Sequence, residues 1–295
     1  MHIVSCGDIF LYHCLQRYIN RFSFKATLTY FSTMISVVLL GAGNVATHLY
    51  KAFKNAENVT VIQWYNRSLR SLQEHKNEVE IISDISDLKE ADIYILSVSD
   101  DAVAELSHQL PFKGRLVVHT SGSVNIHDLD KKNLRGVFYP LQTFSRDADL
   151  DFTTVPICIE VLEKPSYPIL KELAQAIGCR SHRINGDQRA SLHLAAVYVN
   201  NFTNQLYRIA HEITENSGVE FDILKPLITE TAHKIQTLSP YMAQTGPAKR
   251  NDKKTIKKHL SLLEDQMHQD IYTLLTESIQ QTHGTLEKPR DKKTK

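Results

Sequence analysis

Ser36-Val37-Val38-Leu39-Leu40 runs directly into Gly41-Ala42-Gly43-Asn44-Val45-Ala46, and this junction limits the possible folds more than any other stretch. An apolar, β-branched run reads as a buried strand. The Gly-x-Gly-x-x-Ala turn then opens into a helical pattern, and a strand, a tight turn and a helix start are the context a dinucleotide fingerprint requires. Gly41 permits the sharp turn, and Gly43 lets the backbone approach a pyrophosphate with no Cβ in the way. Ala46 is small enough for close helix–strand packing. The N–H groups of Gly41, Ala42, Gly43, Asn44 and Val45 are the expected cradle for the anion, assisted by the helix dipole.

The alternation that follows predicts an α/β protein with a Rossmann-type, mostly parallel sheet. Strands are expected at Val37–Leu40, Val59–Trp64, Ile81–Ile82, Asp92–Val98, Arg115–His119, Val137–Tyr139, near Val155–Glu160 and near Arg180–Ile184. Helices are expected over Val45–Lys54, from Leu69, after Ser99 and near Ser166–Ile177. After Asn185-Gly186-Asp187 the pattern becomes helical throughout. Leu192, Ala195, Ala196, Val199, Phe202, Leu206, Ile209 and Ile213 recur at three- and four-residue spacings, predicting one helix over Gln188–Ser217 that Gly218 ends. Phe221–Leu238 and Thr255–His283 read as further helices. The expected organisation is an extension over 1–33, a nucleotide-binding domain over 34–186, an all-α substrate and dimerisation domain over 187–283, and a disordered tail over 284–295. Residues 1–33 do not fit this scheme. They read either as sequence upstream of a true start at Met34, the favoured expectation, or as a basic, acid-poor transit peptide.

Charge excludes some partners. Of 34 basic and 33 acidic residues, the two ends hold eight and three, which leaves the body at −4. A slightly acidic body argues against nucleic acid and against a charged membrane surface. No apolar run is long enough to span a bilayer. Cys6, Cys14, Cys158 and Cys179 show neither a CxxC pair nor metal-ligand spacing, so a reducing, cytoplasmic setting is expected and no metal.

The end of the second strand chooses the cofactor. An acid there would bind the ribose hydroxyls of NAD, but this chain has Asn66-Arg67-Ser68. Arg67 can fork onto a 2′-phosphate, and Asn66 and Ser68 can donate to it, so the expected cofactor is NADP. A solvated surface arginine is the alternative. Ser97-Val98-Ser99 and His119-Thr120-Ser121-Gly122 end strands beside the switch point of such a sheet, so Ser97, Val98, Ser99, Thr120 and Ser121 are expected along the cofactor, with the His119–Gly122 run flanking the substrate. Ser121 lacks the Gly-x-Ser-x-Gly elbow of a hydrolytic nucleophile. His119 is a candidate proton donor, or a packed and satisfied histidine. His193 and Asn200, seven residues apart, would share a helix face, with His193 donating a proton to a carbonyl or imine and Asn200 orienting the substrate. An interior polar network is the alternative there. In the Gly246–Asp252 loop, Arg250 could hold a substrate carboxylate and Asp252 could cap a helix or face the substrate.

Together these residues resemble the Rossmann-like proteins carrying a C-terminal domain of unknown function (DUF2520) within the 6-phosphogluconate dehydrogenase-like superfamily. The resemblance covers Met34 to His283. It rests on the Gly41–Ala46 turn, Asn66-Arg67-Ser68, His119-Thr120-Ser121-Gly122, Tyr139-Pro140-Leu141-Gln142-Thr143-Phe144, Leu192-His193-Leu194-Ala195-Ala196, and Gly246-Pro247-Ala248-Lys249-Arg250-Asn251-Asp252 with His259-Leu260. It implies an NADP-dependent oxidoreductase similar to pyrroline-5-carboxylate reductase and to coenzyme F420-dependent NADP reductase. It also implies Gln142 and Thr143 near a small-molecule substrate, and a helical domain that completes the cleft by homodimerising. The chain departs from two relatives of that superfamily. β-Hydroxyacid dehydrogenases place a lysine one turn before an asparagine, where this chain has Ala196 and Val197 before Asn200. The Gly/Thr-rich substrate loop of pyrroline-5-carboxylate reductases is also absent. The competing expectation is an NADP-binding sensor or scaffold without turnover.

Overall fold

A computed structural model describes residues 34–146 and 148–284. The expectations for residues 1–33, including Cys6 and Cys14, and for the tail beyond Gly284 lie outside the described residues. The chain divides into two compact units, one ending at His193 and the other beginning at Leu194. The first unit therefore runs past the boundary expected at Gly186, because the opening turns of the next helix are bonded into it.

The first unit is built on a single eight-stranded sheet in the order β3-β2-β1-β4-β5-β6-β7-β8. Its strands are β1 (Ile35–Leu40), β2 (Val59–Tyr65), β3 (Glu80–Ile82), β4 (Ile93–Leu96), β5 (Leu116–His119), β6 (Leu134–Pro140), β7 (Ile157–Val161) and β8 (Ser181–Arg183). All neighbours pair in parallel except β6 and β7. Strand order reverses direction between β1 and β4, the switch point at which ligands of such sheets bind. The strongly apolar β1 is explained by burial on both faces. Val37 and Leu39 pack with Ala46, Leu49 and Phe53 of α1 (Asn44–Lys54). Val38 and Leu40 pack with Val103 and Leu106 of α2 (Asp100–Gln109). Each such fully buried side chain contributes roughly 1.5–3 kcal/mol of burial. Helix α3 (Tyr167–Ala176) adds Leu170, Leu173 and Ala174 to the α1 side of the sheet.

One expected helix is absent from this unit. Leu69–His75 is a 3-10 segment in which Leu72 alone is buried, too little apolar anchorage to draw in a full α-helix.

Helix α4 (Gly186–Ala196) continues through a π-helical stretch, Val197–Phe202, into α5 (Thr203–Asn216). The expected long helix is thus present with one widened turn, inside which the Thr203 hydroxyl donates to the Tyr198 carbonyl. The second unit continues with α6 (Lys225–Thr237), the short α7 (Pro240–Ala243), α8 (Lys253–Leu262) and α9 (Gln266–His283). The expected single helix over Thr255–His283 is two. Asp265 accepts from the His268 N–H and starts α9 afresh, a local cap that interrupts a continuous apolar periodicity. Within the second unit Ile209, Ala248 and Thr276 are buried, while Tyr198, Val199, Phe202, Leu206 and Ile213 stay exposed. Among the described residues no helix is long and apolar enough to cross a membrane.

Candidate functional site

The sheet ladder extends past the strand ends and shapes the turn after β1. The Gly41 N–H donates to the Tyr65 carbonyl (2.9 Å), and the Ser97 N–H donates to the Leu40 carbonyl (2.7 Å). Gly41 adopts φ +112°, and a Cβ there would lie 2.1 Å from the Ser97 carbonyl oxygen. Only glycine fits. Trp64, fully buried on β2, donates its indole N–H to the Gly41 carbonyl at 2.6 Å and fixes the turn from below.

Around this turn opens a cleft of about 310 Å³. Gly41, Ala42 and Gly43 form one wall, Tyr65, Asn66 and Arg67 the end of β2, and Val98 and Ser99 the end of β4. Ala102, Glu105, Leu106 and Gln109, one stripe of α2, close the far side. A Cβ built on Gly43 meets nothing within 4 Å, so the space above this glycine is open. Gly43 caps α1 without a side-chain hydrogen bond, and the first turn of α1 holds no acid. Its free N–H groups and the helix dipole suit a phosphate. Arg67 is exposed on the rim and forms no ion pair among the described residues. Open glycine, uncapped helix and a free cation at the β2 end fit a dinucleotide carrying an extra phosphate.

Several expected contacts prove to be supports. The Asn66 side-chain amide donates to the Ser68 carbonyl (2.8 Å), holding the turn that presents Arg67, and Ser68 does not line the cleft. The Asn44 side chain donates to the Phe144 carbonyl (2.8 Å), leaving its backbone N–H at the helix start. Ser97 is buried and accepts from the Thr120 hydroxyl (3.3 Å), so both lie beneath the surface of the cleft. The Ser121 hydroxyl accepts from the N–H groups of Ser123 and Val124 (3.1 Å each), which confines it to its own loop.

His119 is corrected as a proton donor. It is fully buried at the end of β5, and burial, followed by the nearby Arg189 guanidinium, pushes its pKa down to about 3. Its Nδ1 accepts from the Ser121 N–H at 3.2 Å, and Nε2 has no partner among the described residues. A neutral imidazole of this kind has no acidic proton to give near neutrality.

His193, on the last turns of α4 within the first unit, lies 3.2 Å from the Tyr139 hydroxyl at the end of β6. Both stand on Gly122, where a Cβ would come within 2.5 Å of His193 Nδ1 and 2.9 Å of Tyr139 Cζ. Arg189 is buried one turn earlier. Its Nη1 donates to the carbonyls of Ser121 (3.3 Å) and Gly122 (3.1 Å), while Nε and Nη2 donate to Glu160 Oε2 on β7 at 3.2 and 3.1 Å. Arg189, Glu160 and Trp64 were not legible as functional residues in the sequence. One signal was available for Arg189: a cation in the first turn of a helix opposes the dipole, which points to an outside partner.

The remaining candidates behave differently. A shared face for His193 and Asn200 requires regular α-helix, and the π-helical stretch at Val197–Phe202 removes that basis. Gln142 and Thr143 are exposed in the loop after β6, where Gln142 Oε1 accepts from the Thr143 N–H (2.8 Å). Arg250 is exposed in the second unit. Asp252 is the N-cap of α8, accepting from the Thr255 N–H (3.1 Å) and hydroxyl (2.7 Å), and those bonds hold its carboxyl below the usual range. Its carboxylate is thus committed to the helix, which corrects the expectation that it faces a substrate.

Residues 36–122 match the family described as NADP oxidoreductase, coenzyme F420-dependent, and residues 155–279 match the domain of unknown function DUF2520. The solved structure of a "putative NADP oxidoreductase" from Bacteroides fragilis is 38% identical, with 85% of this chain covering 99% of that one at a TM-score of 0.77. The chain belongs to the Rossmann-like DUF2520 family. Its fold is shared more widely. A Thermotoga maritima protein superposes with a TM-score of 0.66 at 18% identity, covering 84% of this chain and 98% of that one. A pyrroline-5-carboxylate reductase from Coxiella burnetii does so at 0.51 and 15%, covering 86% and 100%. No protein of curated function matches this DUF2520 chain.

Proposed function

We propose that this DUF2520 protein is an NADP-dependent oxidoreductase that moves hydride between NADP(H) and a small carbonyl or imine. The observation that carries the reading is the cleft itself. An open space above Gly43 faces the uncapped start of α1, with the unpaired Arg67 at the end of β2. Ala42 to Val45 would hold the pyrophosphate through backbone N–H groups, with Gly41, its own N–H bonded to the Tyr65 carbonyl, shaping the turn, and Arg67 would hold the 2′-phosphate. When bound, the nicotinamide supplies or accepts the hydride. This chain's own residues bind and orient it, and His193 holds the proton that a reduced carbonyl or imine takes up. Gln142 and Thr143, in the loop after β6, are the proposed substrate contacts of the first unit. In the second unit Arg250 is exposed and suited to a carboxylate.

Two further parts of the reading concern the assembly. The apolar stripe of Tyr198, Val199, Phe202, Leu206 and Ile213 is exposed in the single chain, which supports a homodimer formed through the helical unit. Cys158 and Cys179 are buried free thiols, which supports a reducing, cytoplasmic setting.

Calorimetric titration with NADPH and NADH tests the cofactor assignment. NADPH is expected to bind more tightly, and Arg67→Ala to weaken NADPH by roughly 10- to 100-fold while leaving NADH nearly unchanged, the range of one charge-assisted hydrogen bond. Equal affinities for both cofactors in the native protein would remove Arg67 from the reading. Turnover of NADPH on a panel of small aldehydes, ketones and cyclic imines then separates an enzyme from a cofactor-binding protein without activity.

A further inference from the structure

Tyr139 and His193 form a contact that the cofactor reading does not itself require. Tyr139 as a residue is 9% exposed, and a hydroxyl hydrogen with so little water around it is best met by a protein acceptor. Among the described residues the acceptor within reach is His193 Nδ1 at 3.2 Å, with the two rings edge to face at 70°. The reverse arrangement, Nδ1–H donating to the phenol oxygen, would leave the hydroxyl hydrogen of a largely buried residue without a protein partner among the described residues. Burial, then Cys158, raises the Tyr139 pKa, which keeps the phenol protonated and therefore a donor. The site is rigid beneath the pair. Gly122 leaves no room for a side chain, and the carbonyls on either side of its N–Cα–C unit are held by the buried Arg189, itself fixed by Glu160.

We infer that Tyr139 is a positioning residue for His193: its hydroxyl donates to Nδ1 and so fixes the imidazole as the Nε2–H tautomer. This rests on the oxidoreductase reading for its purpose, since Nε2 is the nitrogen from which His193 would hydrogen-bond the substrate carbonyl or imine, but not for its geometry. His193 Nε2 has no hydrogen-bond partner among the described residues, whereas Nδ1 is occupied. A ring pinned at one nitrogen and open at the other is oriented to donate a hydrogen bond in one direction.

The test reads the tautomer directly. Full-length protein labelled with ¹⁵N-histidine is measured by long-range ¹H–¹⁵N correlation at about pH 8. His193 is assigned by its loss in His193→Gln. The native protein is expected to show a pyridine-type Nδ1 and a pyrrole-type Nε2 for His193. Tyr139→Phe is expected to release the ring into a mixture of tautomers while the other histidines keep their patterns. Gly122→Ala, which pushes on the same ring, serves as the second variant should Tyr139→Phe fail to fold, and is expected to disturb His193 likewise. An Nδ1–H tautomer in the native protein, or an unchanged Nε2–H tautomer in Tyr139→Phe, overturns the inference. Adding NADPH separates this outcome from the cofactor reading. Absence of NADPH binding sinks the oxidoreductase assignment and leaves the tautomer result standing. Bound NADPH that shifts His193 in the native protein supports both.

Discussion

Between about pH 6.5 and about 3, the imidazole of His119 is protonated in the unfolded chain and neutral in the folded one. The unfolded state therefore binds the extra proton in that window, and folding stability falls as the pH drops through it. Above the upper limit both states are neutral and the contribution is complete. The slope approaches about 1.4 kcal/mol for each pH unit crossed. Urea unfolding at pH 7 and at pH 5 should show a loss of stability that His119→Asn, neutral in both states, lacks in part. Equal pH dependence in the two proteins would mean that His119 is not buried as described. Residues of this kind explain how much of the site could be read beforehand. Gly41, Gly43 and Arg67 were legible because glycine spacing and a cation at a strand end are local signals. The neutrality of His119 was not, because it depends on burial and on Arg189, distant in sequence and next to it in space. Asp252 was half legible: a helix cap is a local signal, but its conflict with a substrate role appears only once both Thr255 bonds are seen.

At the scale of elements, the parallel strands were readable because burial on both faces gives continuous apolar runs. The antiparallel turn from β6 to β7 carries no comparable mark, since pairing direction depends on the path of the 141–156 connection. The π-helical stretch was equally hidden, because Val199 and Phe202 keep the three- and four-residue apolar spacing of an α-helix. The joint between α4 and β7 makes a quantitative prediction. Arg189→Met leaves Glu160, whose side chain is 13% exposed, without its cation and two loop carbonyls without their donor. The expected loss is about 3–5 kcal/mol in chemical denaturation, the range for breaking a buried pair from one side. Pairing it with Glu160→Leu should recover a large part of that loss, since no uncompensated charge then remains. A double variant as unstable as the single one would argue that the guanidinium acts through the Ser121 and Gly122 carbonyls instead.

For the whole molecule, the helical unit offers too little buried apolar surface for the stripe its sequence carries. Val199 is 73% exposed and Phe202 50% exposed, although both sit at core spacings in the sequence. The periodicity was therefore legible and its partner was not, because a sequence does not distinguish a face that packs within the chain from one that packs against a second copy. Sedimentation should find a dimer, and Val199→Glu should convert it to a folded monomer. A native protein that sediments as a monomer at all concentrations would require another partner for this surface. The chain holds one tryptophan among its 295 residues, and that residue is Trp64, bonded to the Gly41 carbonyl under the phosphate-binding turn. Excited where tyrosine does not absorb, the intrinsic emission of the protein is thus the signal of a single indole seated at the glycine turn. It provides an optical gauge of that turn with no label attached, whose spectrum should respond to occupancy of the cleft while folding elsewhere passes unseen.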